Sequence, residues 1–162
     1  MKEKIKGREG LKKILTDHQK TGKKIVFTNG CYDLIHVGHV RYLKEAKSHG
    51  DILVVAVNSD SSVQKLKGEK RPLIPEQERA EVLSALSCVD YVVIFAEADP
   101  HNIISYLKPD VLVKGGDWTV DTIIGRDVVE ASGGKVISLP YIEGDFSSTS
   151  KIVKRIVERY GR

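Results

Sequence analysis

The strongest constraint on this chain is a series of short apolar runs with almost no polar alternation: IVFT (25–28), DILVVAV (51–57), YVVIF (91–95) and DVLVK (110–114), with a weaker fifth, KVISL (135–139). A strand with one wet face alternates apolar and polar residues. A β-branched run without alternation has both faces covered, as in parallel sheets. Between the runs lie segments with helical spacing. Residues 38–49 set Val40, Leu43 and Ala46 on one face, with Arg41, Lys44 and Lys47 turned away. Residues 76–87 follow Pro75 with Glu76, Gln77 and Glu78, where acidic side chains oppose the helix dipole, then bury Ala80, Val82, Leu83 and Leu86. Strands alternating with helices predict one doubly wound, Rossmann-like α/β domain: a five-stranded parallel sheet with helices on both faces. Residues 1–22 read as a helical lead-in and 148–160 as a closing helix. No repeat or linker divides residues 1–162.

Composition narrows the function classes. With 41% hydrophobic and 30% charged residues, the chain is globular rather than disordered. No apolar run approaches the ~18 residues of a spanning helix, and MKEKIKGREG lacks a signal peptide's apolar stretch. These features predict a cytoplasmic protein with no membrane partner. Cys31 and Cys88 lie far apart and outside CxxC spacing, which indicates neither a disulfide framework nor a zinc site. The net charge of +4 raises the question of nucleic acid. The lysines are dispersed, however, and three Phe, six Tyr and one Trp are few stacking platforms. A protein that handles phosphorylated small molecules has the same balance, so no nucleic-acid partner is expected.

The chemistry concentrates in IVFTNGCYDLIHVGHV (25–40). In open α/β sheets ligands gather beyond the carboxyl ends of the strands. Here Thr28-Asn29-Gly30-Cys31-Tyr32-Asp33 leaves the first strand and reaches a helix at about residue 37. Gly30 permits close backbone approach, and a helix start offers free N–H groups to an anion. Neither GxGxxG nor GxxxxGK[ST] is present. His36 and His39, three residues apart, face one side of the helix start. A metal site needs a third ligand that the motif lacks, and a nucleophile reading has only Cys31, which packing explains as well. What remains is a pair of imidazole donors suited to a phosphate whose charge grows during reaction. Helix-capping or core histidines are the plainer alternative, and the residues alone leave it open.

TNGCYDLIHVGH resembles the signature of the HxGH nucleotidyltransferase superfamily. LVKGGDWTV (112–120) resembles that family's second nucleotide motif, and EGDFSSTSKI (143–152) its third. RPLIPEQERAEVLSAL (71–86) is similar to the arginine-bearing helix of the cytidylyltransferase-like branch. The likeness runs from about residue 22 to 158. Within the branch, VNSDSSVQKLKGEKRPLIP with KGGDW looks most like the stand-alone form of the adenylyltransferase domain of ADP-heptose synthases. The resemblance implies transfer of AMP from ATP to D-glycero-β-D-manno-heptose 1-phosphate, with Mg²⁺ bridging the triphosphate, and a homodimer. Glycerol-3-phosphate cytidylyltransferase and FAD synthetase are the alternatives within the superfamily, and a non-catalytic nucleotide-binding module lies outside catalysis. Cytidylyltransferases carry an arginine in LPRTEG, whereas this chain reads LPYIEG with Tyr141 at that position.

The resemblance also implies roles. His36 and His39 meet the α- and β-phosphates. Lys67 completes the catalytic set, and with Lys65 in QKLKG it steadies phosphates from a mobile loop; two solvated lysines are the other reading. Thr28, Asn29, Gly30 and the backbone of Cys31 and Tyr32 cradle the triphosphate, and Gly38 lets the nucleotide pack on the helix. Lys114, Gly115, Gly116, Asp117 and Trp118 border the base and ribose, with Trp118 also readable as core. Ser148 and Thr149 bind phosphate at the last helix start, or serve as its N-cap. Asp33 either contacts substrate or caps the histidine helix. Arg79 binds a substrate phosphate or forms a surface pair with Glu76 or Glu78. No metal ligand is assigned.

Overall fold

The structure, a computed structural model, describes residues 2–116, 118–140 and 148–161. Five strands, β1 (Ile25–Gly30), β2 (Ile52–Asn58), β3 (Tyr91–Phe95), β4 (Val111–Gly115) and β5 (Lys135–Leu139), form one sheet in the order β3-β2-β1-β4-β5. Every pairing is parallel. The α-helices are α1 (Arg8–Lys20), α2 (Val37–Lys47), α3 (Asp60–Lys67), α4 (Glu76–Ser84), α5 (His101–Leu107), α6 (Arg126–Ala131) and α7 (Thr149–Tyr160).

The side-chain period of two divides each apolar run between two cores. Ile25 and Phe27 of β1 join Val54 and Ala56 of β2 beneath α1, α5 and α6. Val26, Leu53, Val55 and Val57 face the opposite way, onto Leu43 and Ala46 of α2 and onto Ala80 and Leu83 of α4. All seven residues of β2 are buried, which is why its sequence shows no alternation. The doubly wound α/β architecture expected from the runs is the one observed.

Register at the sheet's lower edge is set by aspartates that immediately precede strands. Asp51 accepts from Lys24 N–H at 2.8 Å, Asp90 from Leu53 N–H at 2.7 Å, and Asp110 from Ile25 N–H at 2.8 Å. Each carboxylate satisfies an amide near the start of the neighbouring strand, where the ladder offers no carbonyl.

One local element departs from the sequence reading. The QKLKG stretch (64–68), expected in a mobile loop, is the end of α3 with its C-cap, and Ser59 caps that helix by accepting from Ser62 N–H at 3.2 Å. The short helices α5 and α6 have too few turns to show a clear apolar period. Phe27 is fully buried in the central strand. Phe27→Ala is expected to cost about 3–5 kcal/mol, measured as a lower urea midpoint with an unchanged m-value.

Candidate active site

The strand order reverses direction between β1 and β4, and there the loops after the two strands part and leave a crevice. A cleft of about 330 Å³ opens at this point. Its walls bring together Asn29, Gly30, Cys31 and Tyr32 after β1, His36, Gly38 and His39 at the start of α2, Lys114, Gly115 and Gly116 at the end of β4, and Ser148 and Thr149 at the start of α7. Tyr42 and Pro140 complete the lining. The N-termini of α2 and α7 both open on the cleft and present partial positive charge to whatever occupies it.

The two imidazoles stack, with ring centroids 3.8 Å apart and planes 21° apart. Tyr32 meets His39 edge-on at 5.2 Å. Tyr32 adopts a φ of +48°, a left-handed turn that carries its ring beneath Gly30, where an added Cβ would lie 3.0 Å from the ring. His36 occupies the N-cap position of α2 without a side-chain cap bond. The Nδ1 atoms of both histidines are buried without a protein partner. Burial, aided by neighbouring His36, pushes the pKa of His39 down to about 4, and burial also lowers that of His36. Both rings are therefore neutral at pH 7, each with one N–H to give.

Lys114 provides the cation of the opposite wall. Its ammonium donates to the backbone and side-chain oxygens of Asn29 at 3.1 and 3.0 Å, and burial pulls its pKa down to about 8. Burial raises the Cys31 thiol, against the pull of Lys67, Arg79, Lys114 and Arg71. Ser148 caps α7 by accepting from Lys151 N–H at 3.2 Å, and the Thr149 hydroxyl donates to Leu34 O at 3.4 Å.

Other residues expected at the site stand elsewhere. Thr28 is fully buried behind the wall, and its hydroxyl lies 2.6 Å from that of Tyr42. Trp118 is 44% exposed, so it is not core; its ring lies 5.8 Å from the Lys114 ammonium. Lys65 and Lys67 are exposed on α3 and do not line the cleft. Asp117 and Tyr141 lie outside the described residues.

Asp33 and Arg79 require correction. The Asp33 carboxylate neither caps α2 nor faces the cleft. It is buried and accepts from Leu73 N–H at 2.7 Å, Ile74 N–H at 3.0 Å and Arg71 Nε at 2.5 Å. Arg79 is not on the surface and pairs with neither Glu76 nor Glu78. Its guanidinium donates to the carbonyls of Ile74, Asn58 and Cys31 and to Asp60 Oδ1 at 2.8 Å. Each guanidinium nitrogen is engaged by the protein and only 1% of the residue is exposed, so its bonds serve the scaffold around β1. Both residues brace the loop after β1 against residues 71–75. Sequence spacing could not show this, because Asp33 lies 38 residues before Arg71 and spacing does not say which carbonyls a guanidinium reaches.

Among the described residues no cluster of three His, Cys, Asp or Glu could hold a metal ion. With Asp33 engaged, the loop after β1 offers no free carboxylate, so these residues do not form a protein cage for Mg²⁺. That ion commonly keeps its waters and binds substrate phosphates instead.

The crevice, the glycine-flanked loop and the stacked histidines define a nucleotide-binding α/β enzyme class, and the comparisons with known proteins agree. The cytidylyltransferase-like family model matches residues 27–155, and the chain belongs to that family. It is 56% identical over 158 residues to the bifunctional protein HldE of Geobacter metallireducens and 52% identical to that of Geobacter sulfurreducens. Each match covers 98% of this chain and 32% of the relative. The chain thus spans about a third of the length of these relatives. A lipopolysaccharide core biosynthesis protein from Thermoplasma volcanium superposes with a TM-score of 0.63 at 31% identity, over 76% of this chain and 100% of that one. A pantoate-beta-alanine ligase from Francisella tularensis, at 18% identity and a TM-score of 0.62 over 86% of this chain and 67% of that one, shares the fold. No helix among the described residues is long and apolar enough to cross a membrane.

Two measurements test this geometry. Arg79→Met is expected to destabilise the chain by about 3–5 kcal/mol, because it strands buried carbonyls and the Asp60 carboxylate; denaturant unfolding reads the loss. His39 has a folded pKa below its unfolded value of 6.5, so the unfolded chain binds the extra proton. Stability is therefore lost as pH falls from about 6.5 towards 4. His39→Gln is expected to flatten the slope of Tm against pH in that window.

Proposed function

We propose that the chain is an adenylyltransferase that joins D-glycero-β-D-manno-heptose 1-phosphate to the AMP moiety of ATP, releasing pyrophosphate and ADP-heptose. One observation carries the reading: two neutral imidazoles, two helix N-termini and the Lys114 ammonium converge on one cleft at the switch point of the sheet. The identity of about half to the HldE proteins along nearly the whole chain supports the heptose branch. The Thermoplasma relative, named for lipopolysaccharide core biosynthesis, points to the same kind of product.

In the proposed reaction a phosphate oxygen of the sugar 1-phosphate attacks the α-phosphorus of ATP. The bond from that phosphorus to the bridging oxygen breaks, and pyrophosphate departs with the electron pair. A phosphate dianion is already nucleophilic, so no protein base is required. The residues align two polyanions and offset the charge that accumulates on the leaving group. His36 and His39 donate N–H bonds to the α- and β-phosphates, and anion binding favours protonation of rings that are neutral when the cleft is empty. Lys114 and the N–H groups at the starts of α2 and α7 meet the remaining oxygens. Lys67 and Lys65 on α3 serve the incoming phosphate, which requires movement of α3 or of the substrate towards it. Mg²⁺ would arrive on the triphosphate and neutralise part of its charge.

The match to a cytidylyltransferase-like model favours a second reading, transfer of CMP to glycerol 3-phosphate. We place the chain, which we read as one folded domain, in the cytoplasm and infer that it forms a homodimer. The exposed edge of α7, with Ile156 50%, Val157 61% and Tyr160 78% exposed, offers a surface that a second copy could cover.

Pyrophosphate release tests the reading, with ATP or CTP paired with heptose 1-phosphate or glycerol 3-phosphate in Mg²⁺. Release is expected only with ATP and the heptose phosphate. His36→Ala or His39→Ala is expected to lower turnover by about 100-fold or more while ATP binding persists. Normal turnover in both variants would remove the histidines from the mechanism.

A further inference from the structure

The ladder between β1 and β4 stops early. Val26 pairs with Val111 and Phe27 with Leu112, and no further rung forms. Yet β1 continues in register with β2 to Gly30↔Val57, and β4 with β5 to Gly115↔Leu139. Two more steps of the β1–β4 register would oppose Thr28 to Val113 and Asn29 to Lys114. At both rungs a side chain stands where the backbone bonds are missing. The hydroxyl of Tyr42, from α2, lies 2.6 Å from Thr28 Oγ1 and donates to Val113 O at 3.1 Å. A carbonyl only accepts, so the Tyr42 proton goes to Val113 and the Thr28 hydroxyl supplies the other bond. One rung further, Lys114 spans to Asn29.

The ring of Tyr42 reinforces the gap. It lies against Gly115, where an added Cβ would fall 2.6 Å from Cε2, so the ring takes the space a side chain at 115 would need. Burial pushes the Tyr42 pKa up to about 12, which keeps the hydroxyl protonated at any working pH. The same helix that carries His36 and His39 thus inserts a polar wedge between the two strands that frame the cleft.

We propose that Tyr42 is a positioning residue: its hydroxyl and ring hold β1 and β4 at the separation the nucleotide requires, without touching the reacting atoms. The proposal rests on the adenylyltransferase reading for the identity of the nucleotide. Tyr42→Phe keeps the ring and removes only the bridge. Thr28→Val removes the bridge from its other end. Loss of either releases the strand ends, so the cleft's width and the two helix starts lose their common reference.

The test combines calorimetric titration of the full chain with α,β-methylene-ATP and amide spectra of the ligand-free protein. Tyr42→Phe and Thr28→Val are each expected to weaken the analogue about 5–20-fold, the scale of one buried hydrogen bond. The double variant should be no weaker than the worse single one, because both remove the same bridge. Tyr42→Phe is also expected to raise the KM for ATP by a similar factor. Val129→Ala, buried in α6 away from the cleft, controls for lost stability and should leave affinity unchanged. In the ligand-free protein, Tyr42→Phe should shift the amide resonances of residues 28–30 and 113–116 together. Wild-type affinity in Tyr42→Phe, or an equal loss in Val129→Ala, would overturn the proposal. If the wild-type chain fails to bind the analogue, the adenylyltransferase reading fails instead. The ligand-free spectra then decide the wedge alone, and unmoved resonances on either strand would sink it.

Discussion

The short pairing of β1 with β4 is the constraint on which the rest of this molecule depends. These strands meet at the centre of a parallel sheet whose order runs outward in both directions from β1. A parallel sheet must cover both faces, so α1, α5 and α6 take one side and α2 and α4 the other. Where the winding reverses, no single helix can cover the carboxyl ends of both central strands. The cleft is what that geometry leaves open, and the loop after β1, the start of α2 and the end of β4 converge there because the chain has no other route.

Electrostatics then shapes the opening. Positive groups crowd the end of β1, yet not all of them are available to a ligand. Arg79 spends its guanidinium on three carbonyls and Asp60, and Asp33 spends its carboxylate on Arg71 and two amides. A buried charge persists when its partners are complete, so these two residues stiffen the loop after β1 and leave Lys114 and the helix starts to face the cleft. The histidines follow the opposite logic. Their Nδ1 atoms are buried and unmet by protein. Burial keeps the rings neutral.

Much of this was legible in one dimension. The unalternating runs reported a sheet covered on both faces, since burial on two sides removes the polar positions of a strand. The order of motifs placed Gly30, His36, His39, Lys114, Gly115 and Ser148 at strand ends and helix starts, and local geometry carries such residues to the ligand side. Short helices were less legible: α5 and α6 are held by tertiary packing rather than by their own period, and α3 by one serine cap. Tyr42 escaped notice because an aromatic at helical spacing reads as core. Only the three-dimensional register shows that its hydroxyl reaches the rung where the central ladder ends.

The sequence by itself determined the class of fold, the parallel sheet and the place of the loop that leads from β1 to the histidine-bearing helix, because hydrophobic period and helix-start chemistry act over a few residues. The tertiary structure decided which charges serve a ligand and which serve the scaffold. Asp33 and Arg79 look like substrate contacts in the chain and become braces in the fold, since their partners lie 38 to 41 residues away for Asp33 and as many as 48 for Arg79. Long-range hydrogen bonds of that kind depend on how packed elements meet in space, and no local pattern encodes the distance between them.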